Sequence, residues 1–224
     1  MHQEELSSII ASVKAYLDLE KESGMEEYFF GPVEGAPAMA GDAPGNLEAL
    51  KKEVLGCREC DLARTRTNVV FGSGNPKARL MFIGEAPGEE EDKQGLPFVG
   101  RAGQLLTKII EAMGLKRQDV YIANILKCRP PNNRAPLPAE IIACRENVKR
   151  QVEMISPRVI CTLGKFATQT LLDTQTPISA LRGNFREYNG IKVMPTFHPA
   201  YLLRNPDDKK LVWQDMKKVM KELK

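Results

Sequence analysis

Histidine is almost missing from this chain of 224 residues, which has only His2 and His198. His2 lies at a terminus expected to fray, so any imidazole chemistry falls to His198. No apolar run approaches the ~18 to 20 residues that span a bilayer, and the opening Met1-His2-Gln3-Glu4-Glu5 is acidic where a secretion signal is basic. A cytoplasmic protein is therefore expected. The chain also lacks G-x-x-x-x-G-K-[ST], and Gly72-Ser73-Gly74 precedes its strand instead of following it, which argues against nucleotide-cofactor loops. The absence of H-x-E and P-C-x-x-C argues against zinc deaminase chemistry, and no internal repeat is present.

The formal net charge of +3 hides a strong asymmetry. Residues 1–48 carry 2 Lys against 10 Asp or Glu, while the remainder carries 30 Lys or Arg against 19 acids. The body is basic, which favours a polyanionic partner. Leu6, Ile9, Ile10, Val13, Tyr16 and Leu17 recur at helical spacing and predict an amphipathic helix over 4–23, free to meet a protein partner. Gly, Pro and Ala dominate 31–46, which reads as a linker. The expected division is an acidic front of residues 1–46 and a folded domain of residues 47–224.

Beyond Leu47, candidate strands at 79–83, 120–126, 158–163 and 191–196 alternate with candidate helices near 101–113, 138–154, 164–172 and 208–222. That alternation predicts an α/β fold, a three-layer α/β/α sandwich around a mostly parallel, four-stranded sheet, with an N-terminal helical extension. Gly84-Glu85-Ala86-Pro87-Gly88 leaves the first strand, Asn124 lies near the end of the second, and His198 follows the fourth. Carboxyl ends of parallel strands are where open α/β sheets build their sites.

Cys57-Arg58-Glu59-Cys60 forms a C-x-x-C, with Cys128 and Cys144 far downstream and Cys161 inside an apolar strand. Five cysteines in a cytosolic chain argue against a disulfide framework. Spacing alone leaves zinc, an iron–sulfur cluster, a redox pair and unliganded thiols open, while Cys161 reads as a small buried thiol.

Asn124 is polar inside the apolar run Tyr121-Ile122-Ala123-Asn124-Ile125. Neighbouring backbone can satisfy such an amide, yet one carboxamide also offers the adjacent donor and acceptor that read a nucleobase edge. Phe98 is by default a core residue, and Leu202 and Leu203 fit packing under the last helix as well as an exposed wedge. Glu89-Glu90-Glu91-Asp92 is an odd run on a basic surface, so at least one of these carboxylates is expected to turn inward.

The block Gly84-Glu85-Ala86-Pro87-Gly88-Glu89-Glu90-Glu91-Asp92, its continuation Gly95-Leu96-Pro97-Phe98-Val99-Gly100-Arg101-Ala102-Gly103, and the downstream His198-Pro199-Ala200-Tyr201-Leu202-Leu203-Arg204 closely resemble the family 4 uracil-DNA glycosylases. These are the iron–sulfur branch of the uracil-DNA glycosylase superfamily, and the resemblance runs from about Leu47 to the C-terminus. It implies a DNA repair enzyme that hydrolyses the N-glycosidic bond of deoxyuridine in DNA; the substrate is expected to be single- or double-stranded and the protein a monomer. It implies a structural [4Fe–4S] cluster on Cys57, Cys60, Cys128 and Cys144. Gly84, Glu85 and Ala86 would edge the uracil pocket, Phe98 would stack on the base, Asn124 would read its polar edge, His198 would contact O2, and Glu91 would stand near C5 to exclude thymine.

Other branches of the superfamily carry Asp where this chain has Ala86, so Glu85 is the candidate for activating water. Arg101, Lys127 and Arg204 would hold phosphates, and Leu202 and Leu203 would fill the space left by the flipped base. A DNA-crosslinking relative carries an additional histidine that this chain lacks. The rival readings are a non-catalytic iron–sulfur protein that binds nucleic acid or senses redox state, and an enzyme of the same fold with wider base tolerance.

Overall fold

The computed structural model describes residues 46–224. The helix expected over 4–23 lies outside the described residues, as does the expected linker except for Asn46. Asn46 caps the first described helix, α1 (Leu47–Leu55), by accepting the Glu48 N–H at 3.0 Å.

Six strands form one sheet: β1 (Ser73–Gly74), β2 (Leu80–Gly84), β3 (Tyr121–Asn124), β4 (Val159–Leu163), β5 (Arg186–Tyr188) and β6 (Ile191–Thr196), in the order β1-β3-β2-β4-β6-β5. The inner four are parallel and are the strands expected from the sequence. The count of four is corrected to six, because two short antiparallel strands flank them. Hydrophobic periodicity does not register a two-residue strand. The signal for β5 was the Asn189-Gly190 turn, whose φ values of 48° and 78° suit a tight hairpin into β6.

The parallel strands are buried on both faces, so they read as continuous apolar runs. Alternate residues nevertheless serve different layers. Met81, Ile83, Ala123 and Ile160 pack against α4 (Pro138–Ile155) and α5 (Lys165–Leu172). Leu80, Phe82, Ile122 and Cys161 pack against α3 (Arg101–Ala112) and α8 (Lys209–Leu223). The three-layer α/β/α expectation thus holds for the described residues. Three short helices complete the order: α2 (Glu89–Gln94), α6 (Ile178–Leu181) and α7 (Pro199–Arg204). Among the described residues no helix is long and apolar enough to cross a membrane.

One close approach sets how α3 meets the sheet's upper edge. A Cβ built on Gly103 would overlap the Phe98 carbonyl carbon and oxygen. Because those are backbone atoms, no rotamer change relieves the clash. Gly103→Ala is expected to destabilise the protein by about 3 kcal/mol, lowering Tm by roughly 6–12 °C in a thermal melt.

Candidate active site and cysteine cavity

The carboxyl ends of β2, β3 and β6 open onto a cavity of about 390 Å³. Glu85, Ala86, Glu91, Phe98, Asn124, His198 and Arg204 line it, drawn from segments more than a hundred residues apart. Gly84 sits behind this wall, paired with Asn124 in the β2–β3 register. A Cβ on Gly84 would overlap both Asn124 Oδ1 and the Phe98 ring, so the missing side chain admits both groups.

Asn124 is 1% exposed, and its Oδ1 has no hydrogen-bond partner among the described residues. A buried acceptor left unpaired is destabilising by about 1–3 kcal/mol, which makes it a strong attractor for a donor placed in the cavity. Phe98 closes one side, with its ring centroid 5.6 Å from that of His198 and the planes tilted by 33°. Its φ of 53° is unusual for a bulky residue and needs support from its neighbours.

Glu91 supplies that support. Its Oε1 accepts the N–H groups of Val99 and Gly100 at 2.8 and 2.9 Å, and its Oε2 accepts that of Gly88 at 3.2 Å. The carboxylate thereby joins the start of α2 to the start of α3 and braces the Phe98 loop. Asp92 also turns inward, accepting the N–H groups of Thr67 and Asn68. Two of the four carboxylates in the acidic run therefore turn inward, Glu91 onto two helix starts and Asp92 onto a loop.

His198 caps α7, with its Nδ1 accepting the Ala200 N–H at 3.1 Å. The proton of the neutral ring must then lie on Nε2. Burial, reinforced by the positive charge of Arg204, lowers its pKa to about 4. Near neutral pH the ring is an uncharged donor. Burial raises the pKa of Glu85 above the ordinary carboxylate range, which makes its anion a stronger base.

Two sequence expectations for DNA contacts are corrected. Lys127 is 1% exposed, and its ammonium donates to the Asn124 carbonyl and Gln151 Oε1, so it cannot reach a phosphate. Leu202 is also 1% exposed and belongs to the core under α3 and α8. Leu203 is 40% exposed, and Arg101 and Arg204 lie at the surface. The sequence reading missed Tyr201, Asn133 and Arg134 as lining residues. The rigid Pro130-Pro131 step after Cys128, which carries the chain back past β3, was the available signal for the last two.

Cys57, Cys60, Cys128 and Cys144 line a second, smaller cavity. Arg66 reaches into it, donating from Nη1 to Cys128 Sγ at 3.2 Å and from Nη2 to the Cys57 carbonyl at 2.8 Å. Asn147 Nδ2 stands 3.9 Å from Cys144 Sγ. Among the described residues, no three His, Cys, Asp or Glu groups converge as ligands of a single metal ion. Burial raises the Cys128 pKa to about 11 and raises that of Cys144 as well, with Arg66 and Lys127 opposing it. Four thiols line one cavity, and the positive charges of Arg66 and Lys127 beside two of them favour the thiolate form in which sulfur binds iron or zinc. Cys161 lies in β4, fully buried and outside this set.

Comparison with known proteins agrees with this arrangement. The family model described as the uracil DNA glycosylase superfamily matches residues 71–217. A type-4 uracil-DNA glycosylase of Saccharolobus solfataricus is 48% identical over 187 residues, spanning 80% of this chain and 87% of that protein. One from Thermotoga maritima is 47% identical over 182 residues, spanning 80% and 95%. A type-5 uracil-DNA glycosylase of Pyrobaculum aerophilum is 30% identical over 146 residues, spanning 58% and 64%. With its cavity, its four grouped thiols and these matches taken together, the chain belongs to the uracil-DNA glycosylase superfamily and, within it, to the type-4 uracil-DNA glycosylases.

Proposed function

We propose that this enzyme hydrolyses the bond between C1′ and uracil N1 in DNA, releasing uracil and leaving an abasic site. The observation that carries the reading is the buried, unpartnered Oδ1 of Asn124 beside an aromatic face and a neutral imidazole. Uracil offers an N3–H to that oxygen and a carbonyl to the Asn124 amide N–H. Cytosine presents a lone pair at N3, so the acceptor would stay unpaired and face like charge.

Phe98 stacks on the base, worth about 1–3 kcal/mol. Gly84 and Ala86 let the ring lie close to the backbone, and Glu91 bounds the pocket through the loop it holds. Scission sends the bonding electrons to uracil N1 and leaves positive charge on the sugar. The His198 Nε2–H donates to O2, where the anion develops, a transition-state contact worth about 3 kcal/mol. Glu85 orients water, takes its proton as the C1′–O bond forms and offsets the sugar charge. Leu203 fills the gap left by the flipped nucleotide, while Arg101 and Arg204 hold phosphates.

Cys57, Cys60, Cys128 and Cys144 hold a [4Fe–4S] cluster, which supplies a multivalent crosslink and takes no part in the hydrolysis. Because one chain furnishes the whole pocket, a monomer suffices. The catalytic domain begins near Leu47, and the cysteine content fits the cytoplasm. A protein that only bound nucleic acid or sensed redox state would have no use for Glu85, Asn124 and His198 around one cavity.

On an oligonucleotide with a single uracil, the purified protein is expected to create alkali-sensitive breaks absent from the thymine control, and Asn124→Ala to slow single-turnover excision about 10²-fold. No breaks from iron-loaded wild type would overturn the enzymatic reading. Glu85 acts as its anion, so excision should decline as pH falls through its raised pKa, and Glu85→Gln should be slow with that decline abolished; an unchanged profile removes Glu85 from the role. Cys144→Ser should lose bound iron and visible absorption and melt at a lower temperature, whereas full iron content would exclude it as a ligand.

A further inference from the structure

Behind the His198 loop, outside the cavity wall, lies a buried charged group to which the chemistry above assigns no role. Asp215 of α8 is 1% exposed. Its Oδ2 accepts the Thr196 hydroxyl at 2.6 Å, and its Oδ1 is ion-paired with Arg182, whose Nη2 also donates to the Leu211 carbonyl at 2.8 Å. Such a pair is seldom more stabilising than apolar packing of the same shape, because both charges lose their hydration. Its location suggests another use.

Thr196 is the last residue of β6 and stands two residues before His198. Its carbonyl accepts the Gly164 N–H at 2.9 Å, which ties it to the end of β4. The Arg182 guanidinium lies 5.5 Å from the centroid of Phe197, the residue between Thr196 and His198. Phe197 in turn packs on Tyr201 of α7, with ring centroids 4.8 Å apart, and α7 is the helix that His198 caps. One carboxylate therefore holds the Thr196 side chain on the strand side of His198, and its partner lies against the ring beside it. Both act along the segment that aims Nε2.

We propose that the Asp215–Arg182 pair, acting through Thr196 and Phe197, is a positioning device that holds His198 in line with the developing O2 anion. None of these residues touches the base. The inference rests on the reading of His198 given above. Removing the brace should slow bond scission without weakening the grip on DNA, since misplacing a transition-state donor is felt in the rate.

Thr196→Val tests this, because it removes only the hydroxyl and leaves α8 intact. Single-turnover excision of uracil is expected to fall about tenfold while binding of an oligonucleotide carrying an uncleavable deoxyuridine analogue stays within about twofold. Thr196→Ser should restore the rate. The deficit should shrink on 5-fluorouracil, a better leaving group that needs less help at O2. In a His198→Ala background the Thr196→Val change should add nothing. Wild-type rate with a lowered Tm, an equal deficit on both bases, or losses that multiply with His198→Ala would overturn the inference. Should His198→Ala alone prove harmless, the assignment of His198 fails first, and the positioning proposal falls with it.

Discussion

The pocket depends on a close approach at the ends of two neighbouring strands. Gly84 faces Asn124 across the β2–β3 ladder, and the missing Cβ is what allows the Asn124 amide and the Phe98 ring to meet there. Any larger residue would displace the Asn124 amide or the Phe98 ring. Hydrogen bonds between parallel strands hold the two residues in register, so the geometry of this pocket wall is inherited from the sheet. Phe98 reaches its place only through a left-handed backbone step, and the Glu91 carboxylate stabilises that step with bonds to the loop and to both flanking helices.

The same economy connects the pocket to the thiols. Asn124 and Cys128 are separated by Ile125, Leu126 and Lys127, all buried. The Lys127 ammonium turns back onto the Asn124 carbonyl, while Gln151 joins it to α4, the helix that carries Cys144. Gln151 also donates to the Phe71 carbonyl and to the Tyr121 hydroxyl, so one polar strut spans several segments. The cysteine cavity and the orientation of Asn124 thus share one short stretch of chain.

How much of this could be read from the residues varied with the physics involved. The four parallel strands and the longer helices were legible because burial on two faces leaves long apolar runs and amphipathic helices leave a 3.6-residue period. The edge strands β1 and β5 were too short to carry a period. Lys127 misled because a Lys among apolar residues ordinarily snorkels to water, whereas here an amide and a carbonyl receive its charge inside. Leu202 and Leu203 were read as a pair, but neighbours on a helix point about 100° apart, so one faces the core when the other faces out. The acidic run was legible only in part: that a carboxylate turned inward followed from its setting, while the choice of Glu91 and Asp92 needed the loop geometry. The Asp215–Arg182 pair left no motif, since each residue alone resembles a solvated surface charge.

The unpartnered oxygen of Asn124 bears on stability as well as on the base reading proposed for it. A folded chain that keeps a buried acceptor without a donor sits higher in free energy than its backbone alone would require. Any planar ring that offers an N–H at that point lowers it, whether or not a sugar is attached. By mass action, a free base bound there would give the protein thermal resistance, as damaged DNA would. On the proposed reading, recognition and release are therefore opposed at a single atom: the tighter Asn124 holds the lesion, the more slowly the excised ring departs.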